Sequence, residues 1–159
     1  MRLVPSTMDD VTPEWLDAVL RERGWLDGAG VADVSVEPLG EGVGLLGELA
    51  RIRLRYTGDT SRLPATLIVK LPSGHEENRN RGNQFGFYER EIRFYEELGA
   101  KLDVRVPRCY HAAIDADTGS FVLLLEDLAH VGTADQVEGL TEAQALVAAE
   151  HIARFHASW

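Results

Sequence analysis

Apolar residues along the chain recur with two periods, and the changes between them predict the elements. From Thr12 to Arg23 they fall at Trp15, Leu16, Val19 and Leu20, one stripe of a helix that Pro13 opens at its first position. Gly24 and the stretch Asp27-Gly28-Ala29-Gly30 end it in a loop. Val31 to Leu39 alternates, with Val34 and Val36 on one face, and predicts a first strand. A glycine-rich turn runs from Gly40 to Gly47. Leu49 to Tyr56 then alternates again: Ile52, Leu54 and Tyr56 face one way, and Arg51, Arg53 and Arg55 face the other, as in a half-exposed strand. A turn at Gly58-Asp59 leads to Ala65-Thr66-Leu67-Ile68-Val69-Lys70-Leu71-Pro72, a strand largely apolar on both faces. The polar stretch from Ser73 to Asn83, with Gly74 and Gly82, predicts a mobile loop. Gln84 to Leu98 has helical periodicity and stops at Gly99. Cys109 to Ile114 and Phe121 to Leu125 read as strands, separated by a turn from Asp115 to Ser120. Thr141-Glu142 starts a last helix with Leu146, Ala149, Ile152, Ala153 and Phe155 as its inner side. The order helix, three strands, helix, two strands, helix predicts an α+β fold around an antiparallel sheet.

A length of 159 residues suits one domain. The net charge of −10 argues against a nucleic acid or an anionic membrane as the main partner, though not against a local basic pocket. Cys109 is the only cysteine, so no intrachain disulfide and no cysteine-based metal site is expected. Asp9 and Asp10 stand where a signal peptide needs an apolar run, no stretch reaches transmembrane length, and the expected setting is cytoplasmic. His75, His111, His130, His151 and His156 lack the spacing of a metal site, and no metal ligand is expected among them.

Two charges sit on apolar faces. Lys70 shares a strand face with Thr66 and Ile68, where a cation is costly unless a carboxylate or a phosphate meets it; the plainer alternative is an ammonium reaching water at the strand end. On the helix from Gln84, Phe87, Glu91, Phe94 and Leu98 share a face, so Glu91 is a carboxylate amid an aromatic stripe, and an ion pair with Lys70 is expected. Otherwise Glu91 bends to the rim, and Glu89 is the fallback partner. Gly42-Val43-Gly44-Leu45-Leu46-Gly47 matches G-x-G-x-x-G. The alternating segment after it is a strand, so the motif joins two strands, as a phosphate-covering hairpin does, and does not open a dinucleotide-binding helix. A hairpin turn without a ligand has the same composition. Leu123-Leu124-Leu125-Glu126-Asp127-Leu128 is an apolar strand entering an acidic dipeptide, which alone reads as a core strand meeting a loop.

Taken in order, several segments resemble the small-molecule kinases of the aminoglycoside phosphotransferase and choline kinase superfamily. They are the glycine hairpin, the Leu67–Lys70 strand, the Tyr88-Glu89-Arg90-Glu91-Ile92-Arg93-Phe94-Tyr95 helix, Pro107-Arg108-Cys109-Tyr110, the Phe121–Leu128 segment and Ala153-Arg154-Phe155-His156-Ala157-Ser158-Trp159. Within that superfamily they are similar to bacterial proteins related to ecdysteroid kinases. The resemblance implies a protein-kinase-like N-terminal lobe, with an antiparallel five-stranded sheet, a C-helix, and further helices at either end. It divides the chain into a helical extension (1–30), a nucleotide-binding lobe with its hinge (31–128), and a linker with the first helix of a second lobe (129–159).

The resemblance also implies ATP, magnesium and phosphate transfer to a hydroxyl of a small molecule. Lys70 would meet the α- and β-phosphates and Glu91 would pair with it. Gly42, Gly44 and Gly47 would cover the phosphates. The Glu126 carbonyl and the Leu128 amide would meet the adenine edge, with Ile68 above the ring. The family's catalytic aspartate and its metal-binding asparagine and aspartate lie in a later helical lobe, and no H-x-D-x-x-x-x-N segment occurs in this chain. The expectation is therefore a nucleotide-binding lobe without its catalytic loop, inactive alone, which self-associates through its last helix or folds that helix back on the sheet. The alternative is a non-catalytic module that binds a nucleotide or a protein partner. A Rossmann-type oxidoreductase is disfavoured by the strand that follows the glycines.

Overall fold

The computed structural model describes residues 4–40, 46–132 and 137–158. Its alternating segments form one antiparallel sheet of five strands: β1 (Gly30–Leu39), β2 (Gly47–Thr57), β3 (Thr66–Pro72), β4 (Cys109–Ile114) and β5 (Phe121–Glu126), in the order β1-β2-β3-β5-β4. Among the described residues four α-helices accompany it: α1 (Pro13–Glu22), α2 (Glu76–Gln84), α3 (Phe87–Arg93) and α4 (Glu142–Ala157). The fold is α+β, as expected.

Each face of the sheet carries its own core. On one face, Trp15, Leu16, Val19 and Leu20 of α1 are buried with Ile52, Leu67, Val69, Leu71, Val122 and Leu124. On the other, Tyr88 and Ile92 of α3 pack with Phe121, Leu123 and Leu125. Burying each such side chain contributes about 1.5–3 kcal/mol, so the two clusters supply much of the force that closes the helices onto the sheet. The Thr12 hydroxyl accepts from the Trp15 amide at the start of α1, and Asp17 farther along accepts from the Val31 amide at 3.0 Å, tying the helix to β1.

The edge strand β4 does not offer all its carbonyls to solvent. Arg23 Nη2 donates to the Ala112 carbonyl and Trp25 Nε1 to the Tyr110 carbonyl, which blunts a surface open to strand addition.

Three expectations are corrected. Residues 73–83 are not a loop throughout, because α2 occupies Glu76–Gln84. No apolar stripe announces it; Glu76 and Glu77 in its first turn and Arg81 in its last complement the helix dipole, and an Arg81–Glu77 ion pair at 2.8 Å spans one turn. Gln84 to Leu98 is not one helix either. Gly86, at φ 64°, breaks it, and after α3 the chain widens into a π-turn at Phe94–Leu98 and a 3₁₀ turn at Gly99–Lys101. Finally, α4 has no inner side: none of its described residues is buried, and it is not folded back on the sheet. Among the described residues no helix is long and apolar enough to cross a membrane.

Candidate functional site

Cross-strand register sets the composition of the face that carries Lys70. Lys70 lies opposite Leu49 and Leu123, and Ile68 lies opposite Arg51 and Leu125. Directly opposed residues point to the same side of a sheet. Leu49, Arg51, Ile68, Lys70, Leu123 and Leu125 therefore share the face on which α3 packs, and the arginine face of β2 is the lysine face of β3.

Lys70 Nζ donates to both carboxylate oxygens of Glu91, each at 2.7 Å. The pair is neither sealed nor open, with the two side chains 24% and 31% exposed. The ammonium is thus reachable by a further anion while Glu91 holds it in place. Glu89 is not its partner; that carboxylate is 64% exposed and lies 3.9 Å from Arg93.

The expected aromatic stripe around Glu91 is shifted. Phe87 is exposed and touches Phe85, whereas the buried positions are Tyr88 and Ile92, with Tyr95 packed beside them. The break at Gly86 resets the phase of α3, and the π-turn changes it again, so a single period drawn from Gln84 misplaces the buried side. Glu91 borders the true stripe, within reach of Lys70. Tyr88 faces inward because its hydroxyl donates to the Leu46 carbonyl at 2.6 Å, which fastens α3 to the chain entering β2. Burial, followed by the negative charge of Glu91, pushes the Tyr95 phenol up to about 12.

Gly47 opens β2 next to this pair. A Cβ there would lie 3.0 Å from the Leu71 carbonyl oxygen and 3.1 Å from Lys70 Cε, so its absence leaves room for the lysine stem. Gly42 and Gly44 lie outside the described residues, as does Trp159.

Ile68 is half-buried against the α3 core. Beyond it, the acidic dipeptide divides between the two sides of the sheet. Glu126 accepts from Arg105 Nη2 at 2.9 Å and from the Arg108 amide at 3.1 Å. Asp127 turns to the Lys70 face and accepts from Arg51 Nε at 2.7 Å. The Leu128 carbonyl accepts from the Val131 amide at 2.8 Å, which turns the chain after β5. Glu126 ends β5 one residue after Leu125, which lies opposite Ile68, so the residues expected to meet a base adjoin one another across β3 and β5. The sequence showed Arg51 only as part of an exposed arginine stripe and Asp127 only as half of an acidic dipeptide; nothing in it joins two residues so far apart.

Cys109 lies on the same face, opposite Leu125, and burial pushes its thiol up to about 11. A cleft of about 430 Å³ opens there, walled by Trp25, Tyr95, Val106, Pro107 and Cys109. A cleft of about 520 Å³ lies between α2 and the β4–β5 turn, and neither Lys70 nor Glu91 lines it. Among the described residues no three His, Cys, Asp or Glu side chains cluster as a metal site.

Compared with known families, residues 41–158 match the ecdysteroid kinase-like family. No curated protein and no solved structure matches the chain.

Proposed function

Because the chain belongs to the ecdysteroid kinase-like family, we propose that it forms the nucleotide-binding lobe of an ATP-dependent phosphotransferase acting on a hydroxyl of a small molecule. The observation that carries this reading is the Lys70–Glu91 ion pair on the face that begins at Gly47. Residues 31–128 are the lobe with its hinge, 1–30 an extension whose helix shares the lobe's core, and 129–159 the passage toward a second lobe. The proposed setting is cytoplasmic.

The residues present fit the polyphosphate of a nucleotide. Lys70 supplies a cation that is already oriented, so an arriving anion meets a fixed charge and does not have to order a free side chain. Glu91 keeps that cation from folding back to solvent. The backbone at Gly47 passes close to the lysine stem, and a glycine there lets the main chain come near a phosphate oxygen. Ile68, Leu49 and Leu125 give an apolar surface of the kind a purine ring covers, bordered by the peptide of Glu126 to Leu128. ATP, when bound, supplies the phosphoryl group that is transferred. For the family's magnesium, the described residues hold no ligand cluster, and we assign it none of them.

A second reading is a non-catalytic lobe that binds a nucleotide or a protein partner. Titrating the 159-residue chain with ATP, and following backbone amides by NMR, tests the nucleotide site common to both. Saturable shifts at Gly47, Lys70 and Leu128 are expected. Shifts absent there at millimolar ATP would remove the nucleotide from both readings.

A further inference from the structure

We infer that Arg51 and Asp127 form a latch that holds the hinge backbone in the shape a purine edge requires, which makes both of them positioning residues for the nucleotide. This rests on the nucleotide-binding reading above.

Asp127 is the most enclosed carboxylate among the ion pairs of the described residues, with its side chain 6% exposed. It receives Arg51 Nε at 2.7 Å and Nη2 at 3.4 Å, so the guanidinium meets it with two nitrogens. The Ala129 amide donates at 3.0 Å to Oδ1, the oxygen that also accepts from Arg51 Nη2, which shapes the turn directly after the hinge. Its carboxyl lies below the usual range, chiefly through the Arg51 hydrogen bond, with further hydrogen bonds from Thr66 and Ala129 opposing the cost of burial. One side chain thus joins β2, β3 and the hinge.

The neighbouring carboxylate ties the same segment to the chain that enters β4. Glu126 holds Arg105 and the Arg108 amide, and its own amide donates to the Arg108 carbonyl at 2.8 Å. Both acidic side chains are engaged within the protein. The groups left to address a base between them are those of the backbone, and their direction depends on these anchors. Arg51 stands opposite Ile68, with its side chain only 20% exposed, whereas Arg53, farther along the same strand, is 62% exposed. The latch therefore borders the part of the face that a purine would cover, and the outer arginine lies farther from it.

Four variants of the chain separate the possibilities: Asp127→Asn, Arg51→Met, Lys70→Met and, as a control, Arg53→Met. Amide hydrogen exchange without any nucleotide reads the latch itself. Exchange at Leu128 and Ala129 should accelerate about tenfold or more in Asp127→Asn and Arg51→Met, because each removes the charge-assisted contact that fixes the enclosed Asp127 side chain against β2. Exchange at Val122 and Leu124 should not change, and Arg53→Met should leave both sets as in the parent chain. Titration with adenosine and with ATP then reads the consequence. The two latch variants should lose the same factor, about fivefold or more, against both ligands, whereas Lys70→Met should lose affinity for ATP alone.

Unchanged hinge exchange in both latch variants overturns the inference. Accelerated exchange with unchanged adenosine affinity overturns the positioning role. If the parent chain binds neither ligand, the nucleotide reading fails and the positioning role fails with it, while the exchange data still say whether the latch exists.

Discussion

Lys70 Nζ sits 2.7 Å from each carboxylate oxygen of Glu91, and the two residues come from a strand and a helix that are adjacent only in the fold. A pair a quarter to a third exposed adds little to stability, because water screens it and two long side chains must be held still. Lys70→Met and Glu91→Gln should each shift unfolding in urea by no more than about 1 kcal/mol. Their effect on ATP should be larger, about tenfold in affinity, because losing either one removes or frees the cation that meets phosphate. Adenosine affinity should stay as it is. A loss of several kcal/mol in stability, or an equal loss against adenosine, would show that the pair serves the core and not a phosphate site.

Gly82 presents two opposing effects. Alanine is better than glycine inside a helix by about 1 kcal/mol, so propensity alone favours Gly82→Ala in α2. A Cβ at Gly82, however, would run into the ring of Tyr88, a buried ring that cannot swing away without breaking its hydrogen bond to the Leu46 carbonyl. Overpacking of that kind costs about 1–3 kcal/mol, and it should outweigh propensity. The expected result is a lower unfolding midpoint for Gly82→Ala. In Gly82→Ala combined with Tyr88→Leu the penalty for the alanine should largely disappear. A stabilised single variant would mean that α2 and Tyr88 are not packed as described.

The same contact shows why part of the chain was legible and part was not. Strands β2, β3 and β5 follow from alternation or from short apolar runs, because residues such as Ile52, Val69 and Leu124 are buried for the reason the pattern encodes. Lys70 was legible as a charge on an otherwise apolar face, and Glu91 was named as its partner from a stripe of Phe87, Phe94 and Leu98, although the structure buries Tyr88 and Ile92 and leaves Glu91 at their border. Helix α2 was not, since its only buried residue is Gly82 and its stability comes from charge placement and from Tyr88. The buried side of α3 was misplaced because an αL glycine and a π-turn each shift the helical phase, and neither is visible as a period. Arg51 and Asp127 are 76 residues apart and meet only through strand order.

The titrating groups predict the pH range of stability. Burial holds the Cys109 thiol at about 11 and the Tyr56 and Tyr95 phenols at about 12, while in an unfolded chain a thiol ionises near about 8.5 and a phenol near about 10. These groups favour folding fully below the unfolded values, and that contribution is lost as pH rises through the folded ones. Stability should therefore decline from about pH 9 toward 11 and beyond, and Cys109→Ala should flatten the first part of the decline. On the acid side, Asp17 and Asp127 are held below the ordinary carboxylate range, chiefly by hydrogen bonds from Arg21 and Arg51. Their contribution is present above about pH 4 and lost as pH falls further, and Asp127→Asn should remove its share. Urea midpoints measured across pH test both limbs; a profile that keeps rising above pH 9 would contradict the burial of these groups.

Helix α4 is capped well but buried nowhere. The Thr141 hydroxyl accepts from the Gln144 amide, and the Gln144 side chain returns to the Thr141 amide at 2.9 Å, so the start of the helix is fixed locally. Leu146, Val147 and Ile152 are nonetheless 65%, 55% and 56% exposed. A second copy of the chain could cover them, at about 1.5–3 kcal/mol for each side chain fully buried. That gain is of the order of the cost of association, roughly 4–15 kcal/mol, so a weak dimer is the expected outcome. The net charge of −10 on each copy opposes approach, and added salt screens that repulsion. Sedimentation over a concentration series should therefore show self-association that strengthens from low to moderate salt. Leu146→Asp with Ile152→Asp should keep the chain monomeric throughout. A mass independent of concentration in the parent chain would rule out self-association through α4, and association that weakens with salt and survives the double substitution would place the contact elsewhere.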